Sequence, residues 1–122
     1  MNNTFVFDTY ALIEIINENK NYIPYLEKNM IINDFIYAEL CFVLTRNNYQ
    51  KIKEHLDKCK KFIVHVKPEV ILSAMEFRVK NLKKNVSITD CISYIMAKEL
   101  GIKFLTGDKE FENMNDVEFV KK

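Results

Sequence analysis

The sequence predicts an α/β protein: three layers, α/β/α, around a mostly parallel central sheet of four or five strands. Two observations lead there. Short apolar runs recur along the chain, and most are followed by a longer segment whose apolar residues recur at helical spacing. Strands alternating with helices of ten or more residues connect by right-handed crossovers, which makes the sheet parallel and covers both its faces. The length, 122 residues, suits one domain spanning residues 1–122 and leaves no room for two separate cores.

Phe5-Val6-Phe7 is the first strand, ending at Asp8, and Tyr10 to Asn17 carries Leu12, Ile13, Ile15 and Ile16 in a helical pattern. Met30-Ile31-Ile32 repeats the step. Asn33-Asp34 then supplies N-cap chemistry for a helix running through Leu44. Asn48 to Lys61 sets Ile52, Leu56 and Cys59 on one stripe among lysines, an amphipathic surface helix, and Phe62 to Val66 reads as a strand. Pro68 suits the first turn of a helix carried to about Lys83, with Asn81 to Val86 as a surface loop. Ser87 to Leu100 is a helix closed by Gly101, Lys103 to Thr106 a short strand, and Val117 to Val120 a final one.

Composition excludes several classes. Apolar residues make up 48% and charged residues 29% of the chain, a globular balance. The start, Met1-Asn2-Asn3-Thr4, lacks a basic region followed by an apolar one, and no run approaches the roughly 18 apolar residues of a membrane span. A cytoplasmic protein without membrane contact is the expectation. Cys41, Cys59 and Cys91 are odd in number and far apart, which argues against a disulfide framework or a cysteine zinc site. His55 and His65 lack zinc spacing, and there is neither a nucleophile turn nor a glycine-rich nucleotide loop. A formal charge of +1 does not mark a nucleic-acid binder, so such binding must come from local patches.

The chemistry sits in the acids. Asp8 and Asp108 follow apolar strands, where ligands bind in open parallel sheets. Glu39 shares a helical stripe with Phe35, Ile36, Phe42 and Val43, so a carboxylate interrupts an apolar face and calls for a cation or donor nearby. Asp90 falls in the first turn of a helix, where amides and dipole favour negative charge. Bland readings stand beside these: Asp8 and Asp108 as turn residues, Ser87 to Asp90 as a capping box, Glu39 as a partner of Arg46. Four carboxylates without an obvious basic partner suit Mg²⁺ or Mn²⁺, hard cations that prefer oxygen ligands and assist phosphoryl chemistry.

Four segments then match, in order, a known family: Phe5-Val6-Phe7-Asp8-Thr9-Tyr10-Ala11-Leu12, Tyr37-Ala38-Glu39-Leu40, Ile88 to Ala97 around Asp90, and Phe104-Leu105-Thr106-Gly107-Asp108-Lys109-Glu110-Phe111. The chain resembles PIN domains, and its size resembles the VapC-type toxins among them. That resemblance implies a divalent-metal-dependent ribonuclease with Asp8, Glu39, Asp90 and Asp108 as metal ligands and catalytic groups, and with the Thr106 hydroxyl orienting a carboxylate or water. Thr9 is a weaker candidate for a similar role. It also implies RNA as substrate, a cognate antitoxin, and a homodimer. PIN domains of RNA-maturation enzymes and non-catalytic PIN scaffolds are the alternatives. Tyr10 is bulkier than the small polar residue common after the Asp-Thr pair, and it also disfavours an aspartyl phosphatase, which carries a second Asp there. Arg46, Lys103 and Lys109 are candidate cations beside the acids, while Lys58 to Lys61 and Lys80 to Lys84 are basic runs as well suited to solubility as to RNA.

Overall fold

Strands β1 (Thr4–Phe7), β2 (Asn29–Ile31), β3 (Lys103–Thr106) and β4 (Val117–Phe119) form one sheet, parallel throughout, in the spatial order β2-β1-β3-β4. The computed structural model describes residues 3–122. Five α-helices accompany the sheet: α1 (Thr9–Ile16), α2 (Asp34–Arg46), α3 (Ile52–Lys60), α4 (Pro68–Lys80) and α5 (Ile88–Leu100), with 3-10 turns at Ile23–Glu27 and Lys109–Phe111. Successive strand residues point to opposite faces, yet Phe5, Val6, Phe7, Phe104 and Leu105 are all buried. Both faces of the central strands are therefore covered, as a parallel sheet requires.

The chain order decides where a ligand can enter. From β1 the chain passes through α1 to β2 on one side, then returns through four helices to β3 on the other side of β1. The switch point lies between the C-terminal ends of β1 and β3, and connections leaving in opposite directions open a crevice there. The Asp8 amide donates to the Leu105 carbonyl at 3.0 Å, extending the β1–β3 ladder one residue beyond Phe7.

Several expected boundaries move for identifiable reasons. Phe62 to Val66 makes no strand: Ile63 forms only an isolated parallel bridge to Ile32. The Phe62 and Ile63 amides donate back to Cys59 and Lys60 carbonyls, closing α3, which leaves the segment too few groups for a ladder. α3 begins at Ile52 rather than Asn48, because Asn48 and Lys51 sit in the left-handed region, at φ 55° and 57°. α4 stops at Lys80, where Asn81 Nδ2 caps the Phe77 carbonyl at 2.8 Å.

The Glu39 stripe also differs. The buried line of α2 is Ile36, Leu40 and Leu44, while Phe35 and Phe42 are exposed, Phe42 at 59%. A quarter-turn of the helix separates the expected face from the core face, so Glu39 does not interrupt the packed stripe. It stands half-buried at its margin.

Candidate active site

All four candidate acids line one open cleft of ≈ 460 Å³ at the switch point: Asp8, Glu39, Asp90 and Asp108, with Thr9, Tyr10, Ile13, Glu14, Val43, Ser87 and Lys122. Each arrives on a different element. Asp8 ends β1, Glu39 comes from the middle of α2, Asp90 from the first turn of α5, and Asp108 follows β3.

Fixed hydrogen bonds set their positions. The buried Thr106 hydroxyl donates to Asp8 Oδ2 at 2.7 Å and accepts from the Asp108 amide at 3.1 Å, so one side chain ties the two strand-end acids together. Thr106 does not line the cleft; it lies beneath it. Asp108 Oδ1 accepts the Glu110 amide at 3.0 Å, leaving Oδ2 free. Ser87 and Asp90 form the reciprocal capping box: each side chain accepts the other's amide at 3.0 Å, and Asp90 Oδ1 stays free. The box and the cleft position are compatible, since the cap occupies one oxygen of two. Asn33 sets α2 against α5. Its Oδ1 caps the Ile36 amide at 2.9 Å while its Nδ2 donates to Ser93 Oγ at 3.2 Å, which fixes Glu39 relative to Asp90.

Electrostatics make the cluster costly as it stands. Burial holds the Asp8 carboxyl well above the usual carboxylate range, the charge of Asp90 pushes it further, and Glu39 adds to the rise; bonds from Thr106 and the Thr9 amide pull the other way. Burial likewise raises Asp90, with Glu39 and Asp108 adding to it against the Ser87 bonds. Among the described residues none of the four acids has an ion-pair partner. The Thr9 hydroxyl, buried at the cleft wall, has no hydrogen-bond partner.

These features suit a hard cation: the donors are all oxygen, the negative charge is uncompensated, and a buried hydroxyl is unpartnered beside Asp8. The spacing is loose. Among the described residues no three acidic, imidazole or thiol side chains are close enough to enclose an ion.

Two charged residues that the motifs did not mark also line the cleft. Glu14 is buried, one turn into α1, and accepts from Asn19 Nδ2 at 2.7 Å. Lys122 approaches Glu14 Oε2 at 4.0 Å and is the basic side chain facing the cleft. Their signal in sequence is faint, since Glu14 reads as the polar side of a helix and Lys122 as a solvated lysine. The expected flanking cations lie elsewhere. Arg46 stacks on Phe42 at 5.1 Å and bonds Asn47, so it is no partner of Glu39. Lys103 opens β3, at the opposite edge of the sheet, in a cavity with Thr4, Lys28 and Asp116. Lys109 is exposed outside the cleft.

The PIN domain model matches residues 5–117, nearly the whole chain. This chain belongs to the PIN domain family. No curated protein matches it. Among solved structures, the Mycobacterium tuberculosis VapC20, a sarcin-ricin loop cleaving toxin, is similar at TM-score 0.78 and 17% identity, covering 96% of this chain and 98% of that one. A toxin-antitoxin complex from Klebsiella pneumoniae matches at TM-score 0.74 and 15% identity, covering 93% and 95%. VapBC2 from Rickettsia felis, bound to a DNA fragment from its promoter, matches at 0.71 and 17%, covering 97% and 99%. Identity this low speaks to the fold, so this PIN domain shares its architecture with VapC toxins. No helix among the described residues is long and apolar enough to cross a membrane.

Proposed function

We propose that the chain is a divalent-metal-dependent endoribonuclease, using Mg²⁺ or Mn²⁺, and the toxin of a toxin-antitoxin pair. The observation that carries the nuclease reading is the convergence of four unpaired carboxylates on one cleft at the switch point of the sheet. Asp8, Glu39, Asp90 and Asp108 would hold the metal, with Glu39, half-buried on a flexible stem, closing the loose spacing. When bound, the ion acidifies water and neutralises charge on the phosphate oxygens.

The chain's own groups prepare for that chemistry. Thr106 fixes the Asp8 carboxylate, favouring its ionised form, and holds the backbone that presents Asp108. The capping box leaves Asp90 Oδ1 without a hydrogen bond, and the Glu110 amide leaves Asp108 Oδ2 so, while both residues line the cleft. Lys122, posted on Glu14 at the rim, draws the phosphate backbone towards an otherwise acidic pocket.

The toxin reading draws on the VapC fold and on the complexes in which such structures occur. An apolar groove of ≈ 420 Å³ lined by Leu12, Ile15, Ile23, Leu26 and Phe62 offers an antitoxin helix a seat. The exposed Leu72 and Val79, seven residues apart on α4, offer a homodimer a face. Incubation with a panel of structured RNAs, with Mg²⁺ or Mn²⁺, tests the nuclease reading: discrete cleavage is expected, and intact RNA throughout would overturn it. A neighbouring small reading frame, encoding a DNA-binding protein that copurifies with this chain and stops cleavage, would establish the toxin assignment.

A further inference from the structure

The cleft has a second wall that metal-assisted hydrolysis does not require. Tyr10 and Ile13, three residues apart on α1, line the cleft together with Val43 of α2, so three half-buried, largely apolar side chains accompany its acids. Phosphate and metal call for charge and oxygen donors. An apolar strip beside them calls for the other part of a nucleotide.

Tyr10 is built to present a fixed face. Its ring stands 6.2 Å from that of Tyr22, tilted by 45°. Tyr22 is fully buried, its hydroxyl donating to the Val120 carbonyl at 2.6 Å. Gly107, between Thr106 and Asp108, lies so close that a Cβ there would overlap both tyrosines. The Tyr10 ring thus packs in part against buried structure, and the same residue lines the cleft. An aromatic ring held this way loses little conformational freedom on binding.

We propose that Tyr10, flanked by Ile13 and Val43, is a specificity-determining residue: it forms a nucleobase subsite in which a base next to the cut phosphodiester stacks on the phenol ring. The subsite rests on the nuclease reading of the acidic floor for its place beside the cut. Stacking on a phenol requires an unpaired base, because a base within a duplex has both faces covered. The ring thus selects for a nucleotide that can leave its stack, and the acids cut beside it.

The test uses the whole chain and a short single-stranded RNA whose cleavage position has been mapped. Tyr10→Leu keeps apolar bulk against Gly107 and Tyr22 but removes the aromatic face, and Tyr10→Phe keeps the face. Binding of the fluorescently labelled RNA is read by anisotropy with Ca²⁺, and KM and kcat with Mn²⁺. Tyr10→Leu is expected to weaken binding and raise KM by about 5- to 150-fold, the range for loss of one base–aromatic stack, while Tyr10→Phe stays within about threefold. An abasic nucleotide at one position beside the cut should weaken wild-type binding by a similar factor and Tyr10→Leu binding hardly at all. This arm needs no change to the protein for its wild-type half, so a folding defect in a variant cannot hide the result. Equal abasic penalties in both proteins, or unchanged binding by Tyr10→Leu, would overturn the subsite. If the wild type cuts no RNA, the nuclease reading falls, and an abasic nucleotide placed at each position of the bound RNA in turn, wild type against Tyr10→Leu, still decides whether a base sits on Tyr10.

Discussion

Replacing Thr106 by Val tests the hinge of the site with almost no change of shape. The hydroxyl is fully buried, donates to Asp8 Oδ2 at 2.7 Å and accepts the Asp108 amide at 3.1 Å. Removing a hydrogen bond to a charged acceptor costs about 1.5–3 kcal/mol, and leaving the part-buried Asp108 amide unpaired adds roughly 1 kcal/mol. Thr106→Val should therefore lose about 2.5–4 kcal/mol in metal-free urea unfolding at a pH where Asp8 is ionised. Unfolding entropy scales with chain length, so for 122 residues that loss lowers Tm by about 4 °C per kcal/mol. The loss depends on pH with a definite sign. The Thr106 bond lowers the Asp8 pKa against the raising effect of burial, so removing it lifts the folded value further. A carboxyl with a raised folded pKa contributes stability below its unfolded pKa and loses it as pH rises through the folded one. The difference between variant and wild type should accordingly shrink to about 0.5–1.5 kcal/mol in acid, where the acceptor is neutral, and the alkaline-rising limb of cleavage should move to higher pH. A difference below 0.5 kcal/mol at every pH, with an unmoved cleavage profile, would refute the role assigned to this hydroxyl.

Three further outcomes follow from the same geometry. Because burial and mutual repulsion raise both Asp8 and Asp90, the metal-free protein should lose stability as pH rises from the unfolded carboxylate range through their folded values. Mn²⁺ at about 100 times its Kd should return roughly 2.7 kcal/mol, and thermal melts across pH with and without the ion measure both effects; an Asp8→Asn protein with an undiminished Mn²⁺ response contradicts them. Gly107→Ala would press a methyl group into Tyr10 and Tyr22 and within 2.8 Å of the Val120 carbonyl, with an expected loss of about 1–3 kcal/mol by urea unfolding. Lys122→Ala should raise KM for RNA more than it lowers kcat and flatten the salt dependence of binding by about one unit in log–log slope, whereas an unchanged slope removes Lys122 from the phosphate path.

Local chemistry made much of this architecture readable. Asn33 and Ser87 announced helix starts, Gly101 a helix end, and Phe5-Val6-Phe7 and Phe104-Leu105 the buried centre of a parallel sheet. The positions of Asp8 and Asp108 followed from strand ends, because parallel neighbours bring those ends to one edge. Less readable was whatever depended on rotation or on distant partners. The phase of α2 was missed because Phe35 and Phe42 look like core residues, yet Ile36, Leu40 and Leu44 pack while Arg46 covers Phe42. Lys103 is near Asp108 in sequence but sits a strand's length away, at the other edge. Lys122 reaches the cleft because β4 pairs with β3 and carries the chain past Thr106, a long-range pairing that no local pattern encodes.

The proposed function depends on these carboxylates binding the ion with which the chain cuts RNA. Titrating Mn²⁺ into the protein by calorimetry, and measuring cleavage of one labelled RNA at each point, tests it in a single series. Binding and cleavage should rise together, both should vanish with chelator and return on adding Mn²⁺, and Asp8→Asn should lose both while remaining folded. Cleavage that persists in chelator, or an Asp8→Asn protein that cuts as the wild type does, would overturn the metal-dependent mechanism.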